Sequence, residues 1–300
     1  MPDDFFRSGV LFAIFGVVTT LFGRRILPGR MQSGLVSVRL FCIFAEGKLR
    51  LGRTKPRQIR FASGMHTALY HLNIFAMNNF IYHNPTKLVF GKGQIARLPK
   101  LIPAGKRIML TFGGGSVKRN GVYDQVVAAL EGRDFVEFWG IEANPSVETL
   151  REAIALGKEQ KVDFLLAIGG GSVIDGTKLI AAGLLYDGDA WDIVRKGQAE
   201  KTVPLATVLT MAATGSEMNS GAVISRYETK EKYAFYGDYP VFSILDPETL
   251  YSLPKRQVAC GLADTFVHVL EQYMTTPDQS RLMDRWAEGI LHTVVEIAPK

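Results

Sequence analysis

Thr210-Met211-Ala212-Ala213-Thr214-Gly215-Ser216-Glu217 decides the reading of this chain. It stands between Gly169-Gly170-Gly171-Ser172-Val173-Ile174-Asp175 and Asp264-Thr265-Phe266-Val267-His268. The glycine run separates an apolar run, Phe164 to Ile168, from a helix-like segment, Val173 to Leu185. A strand, a turn without side chains and a helix N-terminus together make a cradle for phosphate. Backbone N–H groups can close on the anion, and the helix dipole favours it. Asp264 and His268 are four residues apart in a helical pattern and so share a face, as two ligands of a divalent metal would. Taken alone, that spacing also describes a structural pair. A nucleotide cradle followed by a metal-ligand pair predicts a metal-assisted dehydrogenase.

Outward from these stretches, apolar strand-like runs alternate with helical patterns, which predicts βαβ units and a parallel sheet. The strands are expected at Arg107–Phe112, Phe135–Trp139, Phe164–Ile168, Val203–Leu209 and Phe242–Leu245. Helices are expected at Tyr123–Leu130, at Val147–Gln160 with Ser146 as its cap, and at Val173–Leu185. Past Leu253 the period changes to 3.6 residues, predicting helices over Arg256–Thr275 and Gln279–Ile297. The expected organisation is a leader over 1–76, a nucleotide-binding α/β domain over 77–252 and the beginning of a helical metal-binding domain over 253–300.

The glycine run at Gly113-Gly114-Gly115-Ser116 follows a strand and precedes Val117-Lys118-Arg119. No acid lies between Thr111 and Val122, whereas a serine, a lysine and an arginine do. A 2′-phosphate is repelled by a carboxylate and tolerated by small or basic groups, so this turn favours NADP(H). Its plainer reading is a structural turn. In the second run, Gly170, Gly171 and Ser172 offer backbone N–H groups to a pyrophosphate. Asp175, one turn into the helix, reads either as a site acid or as a first-turn residue complementing the dipole. Thr210, Thr214 and Ser216 supply hydroxyls around Gly215, a loop able to wrap phosphate and ribose without adding charge. Lys178 is expected to be a solvated helix residue.

These ordered motifs, with Asn84-Pro85-Thr86, Phe90-Gly91-Lys92-Gly93 and Leu245-Asp246-Pro247, run collinearly from Met77 to the end of the sequence. Over that length the chain resembles the iron-containing (group III) alcohol dehydrogenases, in particular their butanol dehydrogenase-like, NADPH-using aldehyde reductase branch. The resemblance implies a Rossmann-like domain followed by helices, in the dehydroquinate synthase-like architecture. It implies hydride exchange between NADPH and a small aldehyde or alcohol, with Fe²⁺ or Zn²⁺ as Lewis acid. It also implies a homo-oligomer for the full-length family. Asp175 is then expected near the nicotinamide ribose and substrate, and Lys232 near the nicotinamide; alone, Lys232 reads as a surface residue. Asn144 is expected beside the adenosine, with Gly114, Gly115, Ser116, Thr210, Thr214 and Ser216 also touching the cofactor.

The family's metal is held by an aspartate and three histidines. Here Asp264 and His268 match, while His292 falls outside the downstream ligand motif and His66, His71 and His83 lie outside any. Half of the metal site is therefore expected to be missing, and the 300 residues alone to turn over little. The alternative is a non-catalytic nucleotide-binding fragment. A glycerol dehydrogenase-like or dehydroquinate synthase-like enzyme is disfavoured by TGSE and by GGGS before Lys118.

Composition agrees. With 47% apolar residues the chain can bury one or two domains' worth of core. Its net charge of +6 is concentrated in residues 1–76, which carry +8, against −2 for residues 77–300. The basicity thus belongs to the leader, and no nucleic-acid module accompanies it. Within the leader, Ser8 to Gly23 is an uncharged run of 16 residues, short of the roughly 20 a membrane span needs. The leader reads as an upstream extension, with a membrane anchor as the alternative. Two cysteines, Cys42 and Cys260, offer no disulfide framework and suit a reducing cytoplasm.

Overall fold

The computed structural model describes residues 81–275 and 280–299. The readings of residues 1–76, of Cys42, His66 and His71, and of Gln279 lie outside the described residues. Eight strands are described: β1 (Lys87–Phe90), β2 (Ile108–Phe112), β3 (Phe135–Phe138), β4 (Phe164–Gly170), β5 (Leu205–Met211), β6 (Gly221–Arg226), β7 (Glu231–Tyr236) and β8 (Phe242–Leu245). The helices are α1 (Leu98–Leu101), α2 (Ser116–Arg119), α3 (Val122–Ala129), α4 (Val147–Glu159), α5 (Gly171–Gly183), α6 (Ala190–Lys196), α7 (Lys255–Thr275) and α8 (Arg281–Ile297). Short 3₁₀ turns span Gln94–Arg97, Ser216–Met218 and Pro247–Leu250.

Six strands form one sheet in the order β1-β8-β5-β4-β2-β3, every pair parallel. Its central strands are buried on both faces, as continuous apolar runs such as Ile108-Met109-Leu110 and Leu165-Leu166-Ala167-Ile168 require. On one face Val117, Val122 and Val126 of α2 and α3 join Leu110, Phe112 and Leu166. On the other, Ile174, Leu179 and Ile180 of α5 join Leu150 and Ile154 of α4 and Met109, Leu165 and Ala167. The chain therefore leaves β2 toward one face and β4 toward the other. Because β2 and β4 are neighbours, a crevice opens beyond their carboxyl ends, where doubly wound sheets bind ligands.

The expected strands are present within a residue or two, but two elements were not foreseen. The sheet has a sixth strand, β1, at its edge, held by Lys87↔Phe242 through Phe90↔Leu245. The region before and through Glu228–Lys232 is an antiparallel hairpin, β6–β7, whose turn places Lys230 at φ 56. Three of the collinear motifs have structural work here. Asp246 accepts from Gln94 N–H (2.9 Å) and Glu248 N–H (3.1 Å), and Gly91 N–H donates to the Leu245 carbonyl, so FGKG and LDP lock β1 to β8. Asn84 Nδ2 donates to the Met218 carbonyl (2.9 Å), tying the NPT segment to the TGSE loop.

Candidate dinucleotide site and metal half-site

The two glycine runs lie side by side. Phe112 pairs with Ile168 as the last aligned residues of β2 and β4, and Gly113 and Gly169 follow at once. Glycine is required at Gly169 because a Cβ there would stand 2.6 Å from Val173 Cγ2, and at Gly171 because one would stand 2.3 Å from Thr214 Oγ1. Gly114 and Gly115 meet the opposite condition: nothing lies within 4 Å of a Cβ at either, and Gly115 holds φ +89. The first run is thus an open, left-handed turn leading into α2, and the second is a close approach between strand and helix.

Helix α5 begins at Gly171 with Gly170 at its cap position and no side chain capping it. Its first-turn N–H groups are left for an external acceptor, the condition that suits a phosphate. Ser172, Asn144 and Lys232 gather over this end. Asn144 N–H reaches Ser172 Oγ (3.4 Å), and Lys232 Nζ donates to Asn144 Oδ1 (2.7 Å). Asn144 is at φ 58, a conformation asparagine tolerates better than most residues.

Beneath them sits a polar knot. Asp175 accepts from Ser216 Oγ (2.6 Å) and from Val223 N–H (2.9 Å). Burial raises its pKa, against the pull of Lys178, Ser216, the Val223 N–H and Lys232. Lys178 is the correction to the sequence reading: it is fully buried, not solvated. Its Nζ donates to the carbonyls of Ser216 and Gly221 (both 2.7 Å), to Ser216 Oγ (2.8 Å) and to Asn219 Oδ1 (3.2 Å). Desolvation pulls its pKa down to about 8, with Asp175 and Glu217 opposing. The signal was in the sequence. Helix α5 is apolar or small all round apart from Asp175, Thr177 and Lys178, and a helix buried on every side must pair its charges.

The TGSE loop is part of the same knot. Thr214 Oγ1 accepts from Ser216 N–H (3.3 Å) and lies against Gly171, while Thr210 is buried at the end of β5. Glu217 is buried, burial raises its pKa, and its Oε1 has no hydrogen-bond partner. Gly114, Ser116 and Lys118 lie apart from the knot, on the β2 side of the crevice, and are exposed.

Asp264 and His268 lie on α7, Oδ1 to Nε2 3.6 Å, each about two-fifths exposed. Burial raises the Asp264 pKa while His268 lowers it. At Gly261, three residues before Asp264, a Cβ would sit 3.6 Å from the Ala212 carbonyl, so this part of α7 packs beside the TGSE loop. Among the described residues no group of three or more His, Cys, Asp or Glu could hold a metal ion. A catalytic zinc site takes three protein ligands, so this pair alone does not hold one. No helix of the described residues is long and apolar enough to cross a membrane.

Residues 85–247 match the model of the iron-containing alcohol dehydrogenase family, over half of the chain. The chain belongs to that family. Among its members, the NADPH-dependent aldehyde reductase YqhD of Escherichia coli (strain K12) is 54% identical over 230 residues, covering 75% of this chain and 59% of that protein. A probable NADH-dependent butanol dehydrogenase of Bacillus subtilis (strain 168) is 53% identical over the same shares. The crystal structure of E. coli K-12 YqhD superposes with a TM-score of 0.71, over 74% of this chain and 58% of that one. NADH-dependent butanol dehydrogenase A of Thermotoga maritima gives 0.70 at 43% identity, over 74% and 57%. The chain thus spans under two thirds of the length of each of these relatives, and their names divide between the two cofactors.

Proposed function

We propose that this chain carries the dinucleotide half of an NADPH-dependent aldehyde reductase, exchanging hydride with a small aldehyde or alcohol. The observation that carries the reading is the bare N-terminus of α5, where Gly171 comes too close to Thr214 for any side chain and no cap is supplied. Gly170, Gly171 and Ser172 would hold the pyrophosphate through backbone N–H groups. Asn144 and Lys232, bonded to one another, would meet the same stretch of the cofactor rather than its two ends, Lys232 adding charge over the phosphates. Gly114, Gly115 and Ser116 would flank the adenosine ribose, and Thr210, Thr214 and Ser216 would line the crevice beside it. Asp175 would orient the TGSE loop and the β6 backbone at the reacting end. When bound, the nicotinamide supplies the hydride.

Asp264 and His268 are proposed as two donors of a divalent ion, Fe²⁺ or Zn²⁺, whose remaining ligands lie beyond the described residues. Carboxylate and imidazole do not discriminate between the two metals. The domain division at about residue 252 accompanies this reading. A second reading, a nucleotide-binding chain without turnover, rests on the same two-donor pair. Fluorescence titration of the 1–300 chain with NADPH and NADH, beside aldehyde-dependent NADPH oxidation with and without Fe²⁺ or Zn²⁺, tests all three points. Tighter NADPH than NADH binding with little turnover is expected of the 1–300 chain, and metal-dependent turnover of a version extended by the family's C-terminal helical domain. NADPH binding without turnover even in the extended version supports the second reading, and preference for NADH overturns the cofactor assignment.

A further inference from the structure

An acid approaches the first glycine run from another strand and not along the chain. Glu137 is on β3, which pairs with β2 through Leu110↔Glu137 and Thr111↔Phe138. The segment after it returns to the glycine turn: Gly140 N–H donates to the Gly113 carbonyl (3.4 Å) and Ile141 N–H to the Phe112 carbonyl (3.1 Å). Glu137 thus lies one residue inside the end of β3, opposite Leu110. Trp139, the residue its carboxylate meets, precedes the backbone that bonds the turn. A carboxylate released toward the turn could accept from a ribose 2′-hydroxyl and repel a 2′-phosphate.

Both of its oxygens are occupied. Tyr123 O–H donates to Oε1 (2.8 Å) and Trp139 Nε1–H donates to Oε2 (2.7 Å). The bond to Glu137 also raises the Tyr123 pKa. The Trp139 ring is fixed from below, stacked on Phe112 at 4.0 Å between centroids and 12° between planes. Lys118, two residues past Ser116, sits over these rings, its ammonium 4.1 Å from the Trp139 centroid and 5.1 Å from that of Tyr123. A cation over two aromatic faces is held without a carboxylate partner, which leaves it able to meet a further anion.

Resting on the reading of this crevice as a dinucleotide site, we propose that Tyr123 and Trp139 mask Glu137 and seat Lys118, so that the turn accepts a 2′-phosphate. Glu137 is then a positioning residue whose freedom, not its presence, sets cofactor preference. Three assignments follow from one arrangement: two donors that silence an acid, two rings that carry a cation, and one acid that fixes both rings.

The test compares the full 1–300 chain with Tyr123→Phe/Trp139→Phe, which keeps two rings and removes both donors, and with the same pair plus Glu137→Gln. Dissociation constants for NADPH and NADH are measured by fluorescence titration, and their ratio cancels general damage to the pyrophosphate site. Freeing Glu137 is expected to shift the ratio toward NADH by about tenfold, the scale of one charge-assisted hydrogen bond gained by NADH and lost repulsion-free contact for NADPH. Absolute NADH binding should tighten, which structural damage would not produce. The triple variant should return the ratio toward that of the unaltered chain. An unchanged ratio in the double variant, or an equal shift in the triple variant, overturns the masking. The sign of the preference in the unaltered chain separately scores the NADPH reading.

Discussion

The β4–α5 corner and the α7–α8 pair both carry residues expected to do chemistry, yet they are built in different ways. At the corner the polar site residues are tied to partners distant in sequence: Asp175 to Ser216 and Val223, Asn144 to Lys232, Ser216 to Lys178. On α7, only Thr265 and Val269 of 21 residues are buried, and on α8 only Ala287 and Val294 of 17. Asp264 and His268 have each other at 3.6 Å along one helix. Position at the corner is therefore fixed by contacts between distant segments, whereas Asp264 and His268 meet through helical spacing on a largely exposed helix. The distinction predicts where substitution is costly.

The largest effect is expected at Lys178. Replacing it with Met removes the donor to two carbonyls, a hydroxyl and an amide oxygen in a buried setting, and leaves Asp175 without its nearest cation. Uncompensated loss of one buried charged partner costs about 3–5 kcal/mol, so urea unfolding should place Lys178→Met that far below the unaltered chain. A loss under about 1 kcal/mol, the ordinary scale of a surface change, would mean that the knot does not hold the corner together.

Next comes Gly171→Val. Its side chain would displace Thr214, whose Oγ1 lies 2.3 Å from the position of a Cβ, and would crowd the N–H groups offered to phosphate. Binding of NADPH should weaken by at least about a hundredfold, on the scale of a lost oriented phosphate contact, as read by fluorescence titration. Binding within a few-fold of the unaltered chain would move the pyrophosphate elsewhere.

A pH effect of intermediate size should distinguish the knot by its sign. The folded pKa of Lys178, about 8, is below its ordinary value of 10.5. Between these values the unfolded chain holds more protons at this residue, so stability attributable to Lys178 rises with pH. Unfolding free energy, taken as the difference from Lys178→Met, should climb by about 2–3 kcal/mol from pH 8 to 10.5. A flat or falling difference would show that the ammonium is well solvated or fully compensated.

The same contrast explains what was legible in the sequence. The parallel sheet, both glycine turns and the Ser146 cap could be read because each depends on neighbours in the chain. The Ser146 cap, for example, is made by its own Oγ accepting from Thr149 N–H. Lys178 was misread because its partners are Ser216, Asn219 and Gly221, dozens of residues away; only the apolar surroundings of α5 announced them. The β6–β7 hairpin was missed because its charged turn, Glu228 to Lys232, masks the alternation of Ala222, Ile224 and Phe235, which point inward. Glu137 escaped notice for a third reason. It is remote from the glycine turn along the chain and is brought near it only by the pairing of β3 with β2.

The smallest effect belongs to the metal pair. Asp264→Ala and His268→Ala should each change unfolding free energy by no more than about 0.5 kcal/mol, since half-exposed pairs contribute little. Burial raises the Asp264 pKa, so removing its carboxylate also removes a desolvation cost that offsets part of the lost contact. The sharper measurement adds metal. Two donors on consecutive turns bind Zn²⁺ or Fe²⁺ weakly, and a ligand stabilises a fold only in so far as its concentration exceeds its dissociation constant. Thermal melts of the 1–300 chain with about 100 μM of either ion should then match those of Asp264→Ala/His268→Ala with the same ion, a concentration far too low to fill a two-donor site. A rise in the midpoint that disappears in the double variant would show that these two residues belong to a fuller donor set, and that α7 is held as firmly as the corner once the ion is bound.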